Sequence, residues 1–354
     1  MKVLFIAGRE PAYVRNDNIL KGLKKNEVEV VECVSSAPSY FLRYPIVLVK
    51  FLFKRDYDVV FVGFLGQPLV PLIKRLTNKP IIFDAYLSVY DTMVFDRKHI
   101  RPGTVIANLF FNLDKRSCEL ADVVLLDTNA HIDYFCKEFG LDRDKFIRVF
   151  VGADEDVFYP RKAPKREGFL VFYYGSFLPL QGIEYIVEAA KLLESHPDIK
   201  FKIIGKGILS SKIKAKAKKL NVKNVEFVDW VPYEKLPEEI AKADVCLAGH
   251  FSNSDKAQRV IPTKAFQMIA MEKPVIMGNN PAAKELFENR KNALMVEMAN
   301  SKALANAILE LKNNDFLREE IGEGGYKIFK EKCTTKRIGR EIKNIIENPL
   351  EEKR

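Results

Sequence analysis

The chain reads as an α/β protein built from two Rossmann-like, doubly wound parallel sheets that face each other across a cleft. Three observations predict this. Short, continuously apolar runs alternate with amphipathic stretches along the whole chain, the pattern of strands covered on both faces by helices. A polar stretch carrying Pro160 and Pro164 has nothing to bury, and after it the same alternation begins again. A length of 354 residues suits two domains at roughly 150 residues each.

The first half, 1–160, opens on the apolar run Val3-Leu4-Phe5-Ile6 within a strand at 2–7. Further strands are expected at 28–34, 58–63, 80–84, 122–127 and 146–151, with helices at 16–25, 68–76, 104–120 and 130–139 between them. Residues 161–168 form the linker. The second half, 169–333, has strands at 170–174, 200–205, 225–228, 244–248, 274–277 and 293–296, with helices at 183–194 and 210–220 among them. The last stretch, 334–348, carries Ile338, Ile342, Ile345 and Ile346 on one helical stripe. The second sheet does not need it, so it is expected to return and cap the first domain.

Composition narrows the function classes. With 47% hydrophobic and 29% charged residues there is material for two cores. The five cysteines are scattered, with no C-x-x-C pair and no metal-like spacing to the four histidines, so no metal site is expected and a reducing compartment is. The first apolar run is too short for a signal peptide or a membrane span, which points to the cytoplasm. A net charge of +10 attracts phosphates of any kind. The basic run 212–219 reads as the outer face of a helix, and no nucleic-acid-binding motif accompanies it, so nucleic acid is not an expected partner. Residues 40–55 are aromatic, apolar and basic. Two readings stand open for them: a segment lying on an anionic membrane at its cytoplasmic face, or a helix packed on the first sheet with snorkelling lysines.

In doubly wound sheets ligands bind at the carboxyl ends of the strands, so those turns hold the candidate site. A dinucleotide fingerprint is missing: the first strand is followed by Gly8-Arg9-Glu10-Pro11, and the first strand of the second half by Gly175 to Gly182. The latter turns instead suit a diphosphate. Gly175, Ser176 and Gln181 precede a helix opened by Gly182-Ile183, whose free N–H groups can face a phosphate. Gly205-Lys206-Gly207 ends the next strand, with glycines that allow close backbone approach to a ligand. The strongest stretch is 255–267. There Ile261-Pro262-Thr263-Lys264 starts a helix, with Pro262 suited to the first helical position and the N–H groups of Thr263 and Lys264 outside the helical ladder. Arg259 and Lys264 add two positive charges, and Gln267 can face the same site. Together these residues make a candidate diphosphate clamp.

These pieces resemble glycosyltransferase family 4, retaining enzymes of the GT-B fold. Val151-Gly152-Ala153-Asp154 with Phe158 and Pro160 resembles the segment that closes the family's first domain. Gly175 to Ala190, Ile203-Ile204-Gly205-Lys206-Gly207, Ala270-Met271-Glu272-Lys273-Pro274-Val275-Ile276 and Lys284-Glu285-Leu286 follow in family order. Departures are equally specific. Where the family often has two glutamates, for the donor sugar and the ribose, this chain has Arg259 and Gln267. Ser176 and Gln181 replace its usual Arg and Lys, and Glu272 a glycine.

The resemblance implies a nucleotide-diphosphate sugar as co-substrate, with no cofactor, metal or protein nucleophile. Arg259 and Lys264 then stabilise the leaving diphosphate. It also implies a glycan or lipid-linked acceptor held by the first domain. The candidates there are Arg9, Tyr13 and Arg15 after the first strand, then Asp84, Tyr90 and Asp91 after the fourth. A catalytically silent nucleotide-sugar binder and a GT-B-fold epimerase are the alternatives.

Overall fold

The computed structural model describes residues 1–164 and 166–351, so Lys165 of the expected linker lies outside it. Two compact units emerge: Met1–Val151 with the chain from Thr335 onward, and Gly152–Thr334. Each holds a six-stranded, wholly parallel sheet.

In the first unit the strand order is β2-β1-β3-β4-β5-β6, with β1 Lys2–Ala7, β2 Glu29–Cys33, β3 Val59–Gly63, β4 Ile81–Asp84, β5 Val123–Leu126 and β6 Phe146–Arg148. Val3 to Ala7 and Val59 to Val62 are fully buried, as strands covered on both faces must be. The helices are α1 Val14–Lys25, α2 Tyr40–Leu52, α3 Val70–Ile73, α4 Val89–Asp91 with a π turn at Thr92–Asp96, α5 Val105–Leu120 and α6 Asn129–Phe139. Thr104 and Thr128 start α5 and α6 by accepting from the N–H groups of Ala107 and His131. Val47 and Phe51 of α2, Val70 of α3, Cys118 of α5 and Phe135 of α6 pack with Leu4, Ile6, Val60 and Val62 in one core, so these four helices share a side of the sheet.

The second unit has the order β12-β11-β10-β7-β8-β9, with β7 Phe169–Tyr174, β8 Ile199–Ile204, β9 Val225–Val228, β10 Val245–Leu247, β11 Val275–Gly278 and β12 Leu294–Val296. Its helices are α7 Ile183–Leu192, α8 Ser210–Lys219, α9 Leu236–Ala241, α10 Asp255–Arg259, α11 Thr263–Ala270, α12 Ser301–Asn313 and α13 Asp315–Ile328, with a π turn at Phe329–Cys333. The chain winds from β7 to β9 in one direction and from β10 to β12 in the other. The loops after β7 and β10 therefore flank the crevice where the strand order reverses.

The division between units falls at Val151, ahead of the expected boundary at 160. Ala153 donates its N–H to the carbonyl of Cys333 (3.0 Å), and Phe158 is buried with its ring 5.6 Å from that of Tyr233. Residues 152–160 thus belong to the second unit. The last helix, α14 Thr335–Glu351, lies along α1 and buries Ile338, Ile342 and Ile346.

Candidate functional site

The floor of the crevice in the second unit is made by loops that touch backbone to backbone. Gly175 and Gly205, at φ +149° and +142°, end β7 and β8. A Cβ on Gly205 would stand 2.0 Å from the carbonyl oxygen of Gly175, and one on Gly207 2.7 Å from the backbone N and O of Phe177. Phe177 donates its N–H to the carbonyl of Lys206 (3.1 Å), and Leu209 donates to that of Phe177 (3.1 Å). The glycines at 205 and 207 therefore make room for the neighbouring loop. Gly205→Ala is expected to cost at least 3 kcal/mol, on the order of the strain of forcing atoms into packed backbone; urea unfolding of the variant measures it.

The loop after β7 is also joined to the loop after β10. Phe251 donates its N–H to the carbonyl of Gln181 (3.1 Å), and Ser252 Oγ donates to that of Leu180 (2.9 Å). Gly182, at φ +67°, leaves no room for a side chain because a Cβ would meet the Ser252 nitrogen at 2.4 Å. It does stand at the start of α7. Ser176 is exposed.

Into this junction reaches Lys264, from the first turn of α11. Its side chain is buried, and its Nζ donates to the Tyr173 hydroxyl (3.2 Å) and to Gln181 Oε1, while lying 4.3 Å from the centre of the Tyr173 ring. Among the described residues no carboxylate touches it. Burial without a counter-charge lowers its pKa to about 7. Beside it His250 is buried with Nδ1 lacking a hydrogen-bond partner, and burial, then the charges of Lys264 and Lys256, push its pKa well below the usual value.

The neighbours of Lys264 differ in part from expectation. Pro262 caps α11 from extended backbone at ψ 136° and is not its first helical residue. Ile261 and Pro262 are buried, and Thr263 half-buried. Arg259 closes the short helix α10 and is half-buried. Gln267 is buried with both ends of its amide engaged: Oε1 accepts from the Tyr174 hydroxyl, and Nε2 donates to that of Tyr233 (3.2 Å). It thus holds the hydroxyls of two tyrosines in place, one of them on the partly exposed Tyr233.

The family model described as glycosyl transferases group 1 matches residues 155–328, a span containing every one of these crevice residues. Residues 155–328 belong to the group 1 glycosyl transferases. An uncharacterised glycosyltransferase of Methanocaldococcus jannaschii is 28% identical over 204 residues, or 54% of this chain and 52% of that one. The chain thus spans about half the length of this curated relative. Among solved structures, sucrose-phosphate synthase of Thermosynechococcus elongatus superposes with a TM-score of 0.78 at 17% identity, covering 99% of this chain and 100% of its own. HepE of Anabaena, solved in complex with UDP, gives 0.75 at 15% identity, covering 98% and 100%. The two six-stranded parallel sheets are accordingly the GT-B fold.

In the N-terminal unit, which the family model does not reach, the candidates separate by burial. Arg15 and Asp84 are fully buried and face each other: Nη2 and Nε of Arg15 donate to the carboxylate at 2.8 and 3.0 Å. Arg15 Nη1 donates to the carbonyls of Val149 (3.1 Å) and Phe150 (2.8 Å). The pair locks β4 to the end of the sheet, which corrects their placement as acceptor ligands. Asp91 is likewise buried. Arg9 and Tyr13 are half-buried at the carboxyl edge, with the Arg9 guanidinium 5.4 Å from the Tyr13 ring centre and the Tyr13 ring tilted against Phe64 at 4.6 Å between centres. Tyr90, half-buried, packs edge-on against Phe95 and Phe111.

Sequence reasoning missed several residues. Asp114, in the middle of α5, accepts from Ser88 Oγ (2.7 Å) and from the N–H groups of Tyr90 (2.9 Å) and Val89 (3.2 Å), and so fixes the turn carrying Tyr90. Burial raises its carboxyl to about 6. Tyr173 and Tyr174 carried a signal, since tyrosines ending an apolar strand bring hydroxyls to its carboxyl end. Nothing local pointed to Tyr233 or to the unpartnered nitrogen of His250.

Proposed function

We propose that this chain transfers a sugar from a nucleotide-diphosphate sugar to an acceptor hydroxyl, with retention at the anomeric carbon. The observation that carries the reading is Lys264: a buried amine held by uncharged oxygens at the carboxyl end of the sheet, where strand order reverses. A buried cation is costly until an anion compensates it, and a diphosphate brings that charge. Arg259 supplies a second cation. As the bond from the anomeric carbon to the donor phosphate oxygen breaks, charge grows on the leaving diphosphate, and preformed positive groups stabilise that change more than the ground state. The acceptor oxygen bonds to the anomeric carbon on the face the diphosphate leaves, and its proton passes to a phosphate oxygen. No protein nucleophile and no metal are assigned. Tyr233, held by Gln267, is assigned to a donor hydroxyl, and Arg9, Tyr13 and Tyr90 to a glycan or lipid-linked acceptor.

The likeness to HepE, solved with UDP, makes UDP the first nucleotide to try. A thermal-shift screen of the full chain against nucleotide diphosphates and their sugars tests the reading, because a ligand bound only by the folded state raises the melting temperature. One nucleotide sugar is expected to raise it, and Arg259→Ala to remove the shift. No shift with any nucleotide at a hundred times a typical donor Kd, where roughly 2.7 kcal/mol is due, would overturn the assignment. A shift with neither transfer nor release of nucleotide would leave a silent binder. A cytoplasmic site of action is proposed, with residues 40–55 at the membrane surface; no described helix is long and apolar enough to cross a membrane.

A further inference from the structure

We propose that one face of the first unit, wider than residues 40–55, docks peripherally on an anionic lipid surface. Helix α2 buries Val47 and Phe51 against the sheet, which turns Phe41, Leu42, Ile46, Val49 and Leu52 outward, with Phe53 directly after the helix. Phe41 is 91% exposed and Phe53 80%. On the same side of the sheet, the start of α5 presents Val105, Ile106 and Leu109, and the π turn before it presents Phe95, all exposed. Large apolar side chains left in water over so broad an area mark a surface that meets something else.

The charges beside these side chains identify the occupant. Residues 40–55 contain no Asp or Glu, and Lys50, Lys54 and Arg55 are exposed among them. The second patch is flanked by exposed Arg97, Lys98 and Arg101, with Asp96 half-buried. Protein interfaces deplete lysine at their apolar cores. Basic residues bordering an aromatic and aliphatic helix face instead match a lipid interface, where the apolar side chains enter the headgroup region and the cations meet anionic phosphates. The first turns of α2 are fixed to the carboxyl edge of the sheet: Arg43 Nη1 donates to the carbonyl of Gly8 (3.1 Å), and the Tyr44 hydroxyl to that of Leu65 (3.0 Å). Docking through α2 therefore brings the edge carrying Arg9 and Tyr13 near the headgroups, where a lipid-borne acceptor is met. The inference uses no residue of the donor crevice, so it stands or falls apart from the donor reading.

Flotation of the full chain with vesicles tests it, using phosphatidylcholine alone and phosphatidylcholine mixed with phosphatidylglycerol. Binding is expected to the mixed vesicles only and to weaken with added salt. Lys54→Ala with Arg55→Ala is expected to reduce partitioning by about thirty-fold, at roughly five-fold per basic residue. Phe41→Ser with Phe53→Ser is expected to abolish it, and Val105→Ser with Ile106→Ser to weaken it, with circular dichroism unchanged in all three. Equal binding to neutral vesicles, no binding to anionic ones, or wild-type binding by the variants would overturn the proposal. So would self-association through the same residues without lipid binding, which would assign the face to a second copy of the chain.

Discussion

Lys264→Met is expected to weaken donor binding and cut transfer by orders of magnitude while raising the melting temperature of the resting protein. The two effects have one cause. In the free protein the Lys264 amine is buried and its pKa falls from 10.5 to about 7. A group with a depressed folded pKa contributes stability above its unfolded value and loses it as pH falls through the folded value. The resting protein therefore gives up stability between about pH 10.5 and 7, by roughly 5 kcal/mol at 1.36 kcal/mol per unit. Methionine fills a similar volume without the charge, and its net gain near neutrality is about 2–4 kcal/mol, since the Tyr173 hydroxyl and Gln181 Oε1 lose their donor. The same charge works in favour of the complex. Below pH 7 the amine meets the diphosphate already protonated. Above it, binding takes up a proton, and donor affinity falls by up to tenfold per pH unit. Loss of this preformed cation is expected to reduce transfer by about a thousandfold. Calorimetric Kd values across pH 6 to about 9, in buffers of different ionisation heat, measure the proton uptake. A variant that melts lower and binds donor as tightly as wild type would show that Lys264 is an ordinary packing residue. Stabilisation with loss of function instead marks a residue kept under strain for its ligand.

The sheets were legible because they are buried on both sides. A continuous run such as Val3 to Ala7 admits no other environment, and Gly175, Gly182 and Gly205 mark the turns whatever their purpose. What glycine does at a turn was less legible. Close approach to a ligand and close approach to another loop make the same demand for a missing Cβ, and the contact of Gly175 and Phe177 with Gly205 and Gly207 is visible only in the folded chain. Lys264 was found by its place after Pro262. Its partners were not, because Gln181 and Tyr173 are distant in sequence, and a glutamine in place of a cation reads as loss until it is seen holding the lysine. Polar residues after a strand misled most at Arg15 and Asp84. Charge at a strand end suggests a ligand site, whereas an internal partner and two backbone carbonyls bury it completely. The domain boundary failed for a related reason: Pro160 and Pro164 mark where the chain is polar, while Phe158 decides where packing changes.

Gly339→Ala is expected to undo the return of the last helix, the largest structural effect foreseen for so small a change. The crossing of α14 on α1 is made at two glycines. A Cβ on Gly339 would stand 2.0 Å from the carbonyl carbon and oxygen of Gly22, and one on Gly22 would stand 2.5 Å from the carbonyl oxygen of Thr335. These are backbone atoms, so no side chain can rotate away and the helices must separate. Separation loosens Ile338, Ile342 and Ile346, each now without exposure, and opens the bonds from Asn26 Nδ2 to the Lys336 carbonyl (2.9 Å) and from Lys343 Nζ to the Asn26 carbonyl (3.3 Å). Overpacking alone costs about 1–3 kcal/mol, and exposing even part of three isoleucines, at about 2 kcal/mol each when fully buried, takes the loss beyond 4. Urea unfolding followed by circular dichroism should show it, and trypsin should cut at Lys336 or Arg337 in the variant long before the wild type. Gly22→Ala approaches the same crossing from the other helix, so it should reproduce the early cleavage. If both variants resist trypsin as the wild type does, the helices do not meet at these glycines, and α14 must be held to the first unit by its isoleucine stripe alone.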